Sequence, residues 1–356
     1  MGNVDAQVIE ILNNAGIFGP GSKELEKHEC FLTRHFERKY ERLEANPVTL
    51  ASLGISTDKG SMMEETEKLM DHHYDERPEF FATFLDKHYR AYSMAYYGDT
   101  PEEIRQSNAT LEEAQYAKFS LIAKRAQIEG NEHILNIGCG FGSLETFLLQ
   151  EYPGLEIVGI TPSKVQANYL RDKMKDSADP LNNRKFNLFE GTFEALGNQK
   201  SYTHKFDLII SIGTMEHSLN MRFIMKLIDS LLVKKGRTFH HFITSQFPIP
   251  QFLDPDKTQI GKYFPGGRVW PQNEFSRHQQ HFELEGHWFV NGLNYWQTLD
   301  EWHRRYWKNI APLYSKVFDT QEIKHWNEYF SLCKAVFAPM DGKLYGNSHY
   351  LFRKTT

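Results

Sequence analysis

Apolar positions change their spacing three times along this chain. Up to about residue 105 they recur at helical intervals: Val4, Val8, Ile11 and Leu12 form one set, and a break at Gly16–Gly21 leads into Lys23–Glu44. Beyond a turn-rich stretch (residues 46–60), Met63, Leu69, Phe80, Phe81, Phe84 and Leu85 continue the helical pattern. Thr110-Leu-Glu-Glu113 has the form of a capping box ahead of a helix over Ala114–Ala126. Strands and helices then alternate. Short apolar runs at Ile134–Ile137, Leu155–Ile160, Lys185–Phe189, Phe206–Ile212 and Gly236–Thr244 read as buried strands, with helices over Ser143–Tyr152, Ser163–Met174 and Leu219–Leu232 between them. This rhythm predicts an α/β fold with a doubly wound, mostly parallel sheet and a ligand at the carboxyl ends of its strands. Residues 246–290 interrupt it with prolines, glycines and aromatics, which predicts a loop-and-helix lid over that edge. Helix returns over Thr298–Phe318, and a final strand pair around Ala335–Phe337 and Ser348–Arg353 is expected to close the sheet. The expected organisation is a helical N-terminal extension (1–105), a nucleoside-binding core (106–245) and a lid with the completion of the sheet (246–356).

At 356 residues the chain has room for a full α/β domain and roughly 150 residues of additions. A formal net charge of −5 gives no basic footprint, so nucleic acid is not an expected partner. Aromatic residues reach 14% and gather toward the two ends, fitting either a large core or an aromatic-walled pocket. Cys30, Cys139 and Cys333 are too scattered for a disulfide framework or a zinc site. With no signal-peptide pattern and no apolar run of about 18 residues, the expected location is cytoplasmic.

The strongest chemical signal is His133-Ile-Leu-Asn-Ile-Gly-Cys-Gly-Phe-Gly142, a strand that ends in alternating glycines before a helix. Glycines there let a ligand approach the backbone. The spacing is not that of dinucleotide sites, and no Gly-Lys-Ser/Thr follows, so a nucleoside cofactor without a pyrophosphate is expected. Glu216-His217 follows the fourth strand, where this architecture presents ligand-facing groups; a helix-capping acid and a packed histidine are the structural alternative. His240 and His241 alternate on one strand, so at most one faces a site. His72 and His73 are adjacent and do not share a helix face, so no metal is expected.

Several segments together resemble the S-adenosylmethionine-dependent cyclopropane fatty acid and mycolic acid cyclopropane synthases. They are His73-Tyr-Asp75, Tyr92-Ser-Met-Ala-Tyr96, Leu111-Glu-Glu-Ala-Gln115, the glycine loop, Gly159-Ile-Thr-Pro-Ser-Lys-Val-Gln166, Met215-Glu-His217, Phe264-Pro-Gly-Gly-Arg268 and Tyr295-Trp-Gln-Thr-Leu299. Plant coclaurine-type N-methyltransferases are more distant members of the same set. The resemblance implies a class I, Rossmann-like methyltransferase fold with a seven-stranded sheet, and S-adenosyl-L-methionine as cofactor. By it, Gly138, Gly140 and Gly142 form the loop beside the methionine part. Thr161, Pro162 and Gln166 serve the ribose side, Thr192 or Phe193 borders the adenine, and Tyr92 and Ser93 close over the sulfonium. In the synthases a bicarbonate ion acts as the base; the matching positions here are Glu216, His241 and Tyr295, with Ile243 for a backbone carbonyl and Met94 where the family has cysteine. His73 would belong to the same acceptor region.

The implied reaction is carbon methylation of an alkene in a lipid or isoprenoid-like chain, ending in a cyclopropane or a methyl branch. The alternative is N-methylation of a small aromatic amine, with Glu216 or His217 taking the proton; a non-catalytic cofactor-binding protein is a third reading. A lipid acceptor would bring transient contact with a membrane surface, and a homodimer is compatible with the sequence.

Overall fold

The computed structural model describes residues 3–48, 60–61, 78–258, 260–264 and 266–355. The His72-His73-Tyr74-Asp75 motif, Met63 and Leu69 lie outside the described residues.

Helix α1 (Asn3–Asn14) and the longer α2 (Lys23–Ala45) lead the chain. The short α3 (Pro78–Phe84) and α4 (Pro101–Gln106) follow, and then α5 (Leu111–Arg125). The capping box predicted at Thr110 is present: its hydroxyl accepts from Glu113 N (3.3 Å) and the Glu113 carboxylate accepts from Thr110 N (2.8 Å). Alternation begins with β1 (His133–Ile137), α6 (Ser143–Glu151), β2 (Glu156–Thr161), α7 (Lys164–Lys175) and β3 (Phe186–Glu190). It continues through α8 (Phe193–Gly197), β4 (Phe206–Ile212), α9 (Met221–Leu231) and β5 (Leu232–Ser245). The two-residue β6 (Gln251–Phe252), β7 (Arg268–Pro271), β8 (Phe282–Asn291), α10 (Leu293–Asn309), α11 (Thr320–Phe337) and β9 (Tyr345–Lys354) complete the chain.

Strands run in the order β3-β2-β1-β4-β5, all parallel, and β9 then pairs antiparallel with β5 and with β8. Seven is the number of strands expected, although not all of the same segments supply them. A short hairpin, β6–β7, joins the end of β5 through Thr244 and Ser245 and raises the described sheet to nine strands. The order reverses between β1 and β4, so the crevice above their carboxyl ends is where an open α/β sheet takes its ligand.

Two sequence expectations need correcting. Ala335–Phe337 is not a strand; it is the buried end of α11, whose Asp319–Glu322 capping box starts the helix far upstream. The partner of β9 is β8, ten residues taken from the stretch read as loop and helix. A register irregularity between Leu284 and Gly286 breaks its two-residue period, which hides the strand.

Each face of the sheet carries its own buried apolar cluster, and a third fills the space under the N-terminal helices. There Phe80 of α3 packs on Trp326 of α11 (ring centroids 4.1 Å apart) and Phe84 on Phe330 (5.3 Å). Burial of each such ring stabilises by about 1.5–3 kcal/mol. Lys334 of α11, only 3% exposed, bonds Glu29 of α2 (2.9 Å) and Asp300 of α10 (3.1 Å), which fixes how the three helices meet. These helices bring the Tyr92–Ser93 segment over the sheet edge.

Candidate active site

A cleft of about 240 Å³ opens above the carboxyl ends of β1, β2, β3 and β4. Gly138 and Gly140 form part of its floor. Gly138 has φ +81°, and a Cβ there would lie 2.3 Å from the Thr214 hydroxyl, which itself donates to Ile137 O (2.8 Å) and ties the end of β1 to the end of β4. Gly140 differs: at φ +59° the place of its missing Cβ has nothing within 4 Å. Gly140 itself lines the cleft. Gly142 stands behind the wall, at the start of α6, where a Cβ would press on Leu170 and Leu181.

Thr161, Pro162 and Gln166 line the next side. The Thr161 hydroxyl donates to Gln166 Oε1 (2.6 Å), which leaves the Gln166 amide NH2 as the donor available to a ligand. Thr192 and Phe193 line the far end, where the Thr192 hydroxyl accepts from Ala195 N and starts α8. Tyr92 and Ser93 close the cleft from the helical side. The Tyr92 ring stacks on Trp302 (5.3 Å), and Ser93 is held by Gln115, whose amide donates to Ser93 O (3.1 Å), and by Lys118, whose ammonium donates to Ser93 Oγ (2.9 Å). Burial pulls the Lys118 amine down to about 7, against the opposing pull of Asp86. Residues that cofactor-site reasoning expected from distant parts of the sequence thus meet around one cleft, Gly142 excepted.

The residues expected to handle protons, Glu216 and His217, occupy the turn after β4. Glu216 is 4% exposed, and Ile243 N donates to its Oε1 (2.9 Å). Its Oε2 is buried with no hydrogen-bond partner among the described residues. Loss of solvent raises this carboxyl to about 7, despite the Ile243 N–H that favours the anion. His217 lines the cleft, lies flat on the Phe264 ring (5.2 Å, 11°), and is lowered to about 4 by burial and by Arg268. Arg268 donates to Ser218 O (2.6 Å) and Trp270 Nε1 to Met215 O (3.2 Å), so the β7 segment braces the Glu216 turn from outside.

The remaining expected base-site residues lie deeper than the cleft wall. His241 is fully buried, with its Nδ1 2.7 Å from His349 Nε2 and its Nε2 3.0 Å from the Asn347 side-chain amide. Burial, with Lys118 and Arg125 nearby, lowers its pKa to about 3, so it is neutral. Its neighbour His240 points to the other face and packs on Phe275 (4.8 Å). Tyr295 stacks on Phe337 (4.4 Å) beside the helical cluster, as Ile243 also does, and Met94 is 1% exposed. The structure joins Glu216 directly to Ile243 alone within this set; His73 falls outside the described residues.

Some cleft residues carried no sequence signal of their own. Asn136 lines the cleft and donates to Glu145 Oε1 (2.7 Å), and burial raises that fully enclosed carboxyl to about 7. Both belong to the glycine motif and its helix, but nothing in their spacing marks them as a pair. Among the described residues no group of three or more His, Cys, Asp or Glu is placed to hold a metal. No helix among them is long and apolar enough to cross a membrane. The cleft therefore offers hydrogen-bond donors and an aromatic roof, with a near-neutral carboxyl just behind it. Proton uptake needs the Glu216 anion, so a reaction that depends on it should accelerate with rising pH and level off above about 7. A pH–rate profile of the wild type against Glu216→Asp checks this; a flat profile from pH 6 to 8 would place the dependence elsewhere.

Comparison with known proteins extends this picture. The sequence matches the family model described as mycolic acid cyclopropane synthetase over residues 62–345. It is 30% identical over 220 residues to the probable (S)-tetrahydroprotoberberine N-methyltransferase 2 of Papaver bracteatum, covering 59% of this chain and 57% of that one. It is 27% identical over 280 residues to the cyclopropane-fatty-acyl-phospholipid synthase of Escherichia coli (strain K12), covering 77% and 65% respectively. Both alignments span less than two thirds of the relative's own length. A crystal structure of coclaurine N-methyltransferase bound to N-methylheliamine and SAH superposes with a TM-score of 0.80 at 20% identity, covering 98% of this chain and 100% of that one.

Proposed function

From the premise that the chain belongs to the mycolic acid cyclopropane synthetase family and has the class I, Rossmann-like methyltransferase fold, we propose that it is an S-adenosylmethionine-dependent methyltransferase acting on an alkene carbon. The observation that carries the reading is that Gly140 and His217 line one cleft, with the Oε2 of the adjoining Glu216 buried and without a hydrogen-bond partner among the described residues. S-Adenosylmethionine, when bound, supplies an electrophilic methyl on a sulfonium. Gly140 leaves room for its amino-acid part with Gly138 beside it in the floor, the Gln166 amide can donate to its ribose, and Phe193 gives its base an apolar wall. Phe81 and Tyr92, the latter backed by Trp302, form an aromatic roof that keeps water out and favours positive charge.

An alkene that accepts a methyl becomes a cation, and its proton must then leave. The Glu216 anion stabilises that charge. A bicarbonate ion would supply a base. Of the residues expected to hold such an anion, Glu216 offers an oxygen able to accept from its hydroxyl, whereas His241 already has both ring nitrogens engaged by His349 and Asn347. The same Glu216, with His217 in the cleft wall, also favours a second reading, N-methylation of a small amine that must lose its proton. For a lipid acceptor the protein would meet a membrane surface transiently.

Purified protein incubated with methyl-labelled S-adenosylmethionine separates the readings. With unsaturated phospholipid vesicles and a panel of secondary aromatic amines as competing acceptors, label should enter the lipid fraction. Label confined to amines would replace the first reading with the second, and no transfer to either class under cofactor saturation would remove both. If the bicarbonate cradle operates, Met94→Cys should raise the cyclopropane share of the product severalfold. Gas chromatography of the released acyl chains measures it; an unchanged product ratio would mean that Met94 does not limit the base.

A further inference from the structure

A chain of hydrogen bonds runs through the sheet behind Glu216 and crosses three elements. Arg125, at the end of α5, places NH1 3.0 Å from His349 Nδ1 on β9. His349 Nε2 lies 2.7 Å from His241 Nδ1 on β5, and His241 Nε2 lies 3.0 Å from the side-chain amide of Asn347. Both histidines and Asn347 are at most 2% exposed, so bulk solvent does not reach these partners. The strand register puts His241 directly opposite His349, which makes the pairing a property of the sheet rather than of a mobile loop.

We infer that Arg125, acting through His349, fixes the tautomer of His241, so that this imidazole can only donate from Nε2 and Glu216 is left as the proton acceptor of the site. A guanidinium donates and never accepts, so His349 Nδ1 must carry its lone pair toward Arg125. Neutral imidazole has one N–H, which His349 then places on Nε2 and gives to His241 Nδ1. His241 in turn carries its proton on Nε2. The structure turns Asn347 Nδ2 toward this nitrogen and leaves Oδ1 without a partner among the described residues, and a half-turn of the amide brings the carbonyl oxygen to face the N–H. Burial and the neighbouring cations keep both rings neutral, the condition the assignment needs.

The consequence is chemical. An N–H fixed at Nε2 and given to Asn347 leaves this ring no lone pair with which to take up a proton from the site. A cation–π contact with Trp288 (5.0 Å) holds the Arg125 guanidinium in place. Arg125 and His349 are thus positioning residues, and His241 is a donor rather than a base. This rests on the methyltransferase reading for its purpose but not for its test.

Two-bond ¹H–¹⁵N correlation spectra of protein labelled at histidine nitrogens distinguish the tautomers, with His241→Gln assigning the signal. The wild type should show His241 protonated at Nε2 and unprotonated at Nδ1 from pH 6 to 8. Arg125→Met should release the constraint and shift His241 toward a mixed population; Arg125→Lys, which keeps a donor, should retain the wild-type pattern. Binding of S-adenosylhomocysteine to Arg125→Met should stay within about threefold of wild type, because the cleft wall is untouched, while turnover falls about tenfold. A wild-type His241 protonated at Nδ1, or a pattern unmoved by Arg125→Met, would overturn the inference. Should Arg125→Met not fold, the wild-type spectrum decides by itself. Absence of any methyl product in the wild type would count against the proposed function and leave the tautomer measurement standing.

Discussion

Glu216→Gln should lower turnover by about a hundredfold or more while leaving affinity for S-adenosylmethionine within a few fold. The substitution keeps the size of the side chain and its contact with Ile243, whose N–H donates to Oε1 at 2.9 Å. What it removes is the negative charge. Burial has already raised this carboxyl to about 7, so near neutral pH it passes between its two forms, and only the anion can stabilise an alkyl cation or take a proton. Glutamine can do neither. Stopped single-turnover measurements with saturating cofactor separate the chemical step from binding. A variant that loses cofactor affinity instead would show that Glu216 belongs to the cofactor wall.

The second large effect concerns the loop floor. Gly140→Leu should weaken cofactor binding by at least about a hundredfold, ~2.7 kcal/mol, measured by titration calorimetry with S-adenosylhomocysteine. The open space at its missing Cβ is the space a ligand would fill, so a side chain there competes with the cofactor before it meets any protein atom. Positive φ adds a modest strain. Gly142→Ala is the matched control: its Cβ would meet Leu170 and Leu181 at 2.7 and 2.9 Å, so thermal stability should fall first. If Gly140→Leu binds normally, or if the two variants behave alike, the cleft above Gly140 is not the cofactor site.

The contrast between these glycines shows what the sequence could reveal. Glycine spacing and short apolar runs announced the strand, turn and helix, because both depend on neighbours a few residues away. The same locality explains the legible capping box at Thr110. Ala335–Phe337 misled because a fully buried helix end reads like a buried strand when only apolar residues are visible. β8 stayed hidden because its irregularity at Leu284 and Gly286 spoils the alternation. Site residues followed a similar rule. Alternation separates His240 from His241, but no local pattern announces that His349, more than a hundred positions later, would sit 2.7 Å from His241. Nor does sequence spacing foretell that Arg268 would brace Ser218 from a neighbouring strand.

Everything said about Glu216 depends on where a sulfonium would sit. A crystal structure of the protein with S-adenosylhomocysteine tests that most directly. The account predicts the amino-acid part over Gly138 and Gly140, the ribose at Gln166, the base beside Phe193, and the sulfur facing the open oxygen of Glu216. A nucleoside bound elsewhere, or one whose sulfur turns away from Glu216, would contradict it.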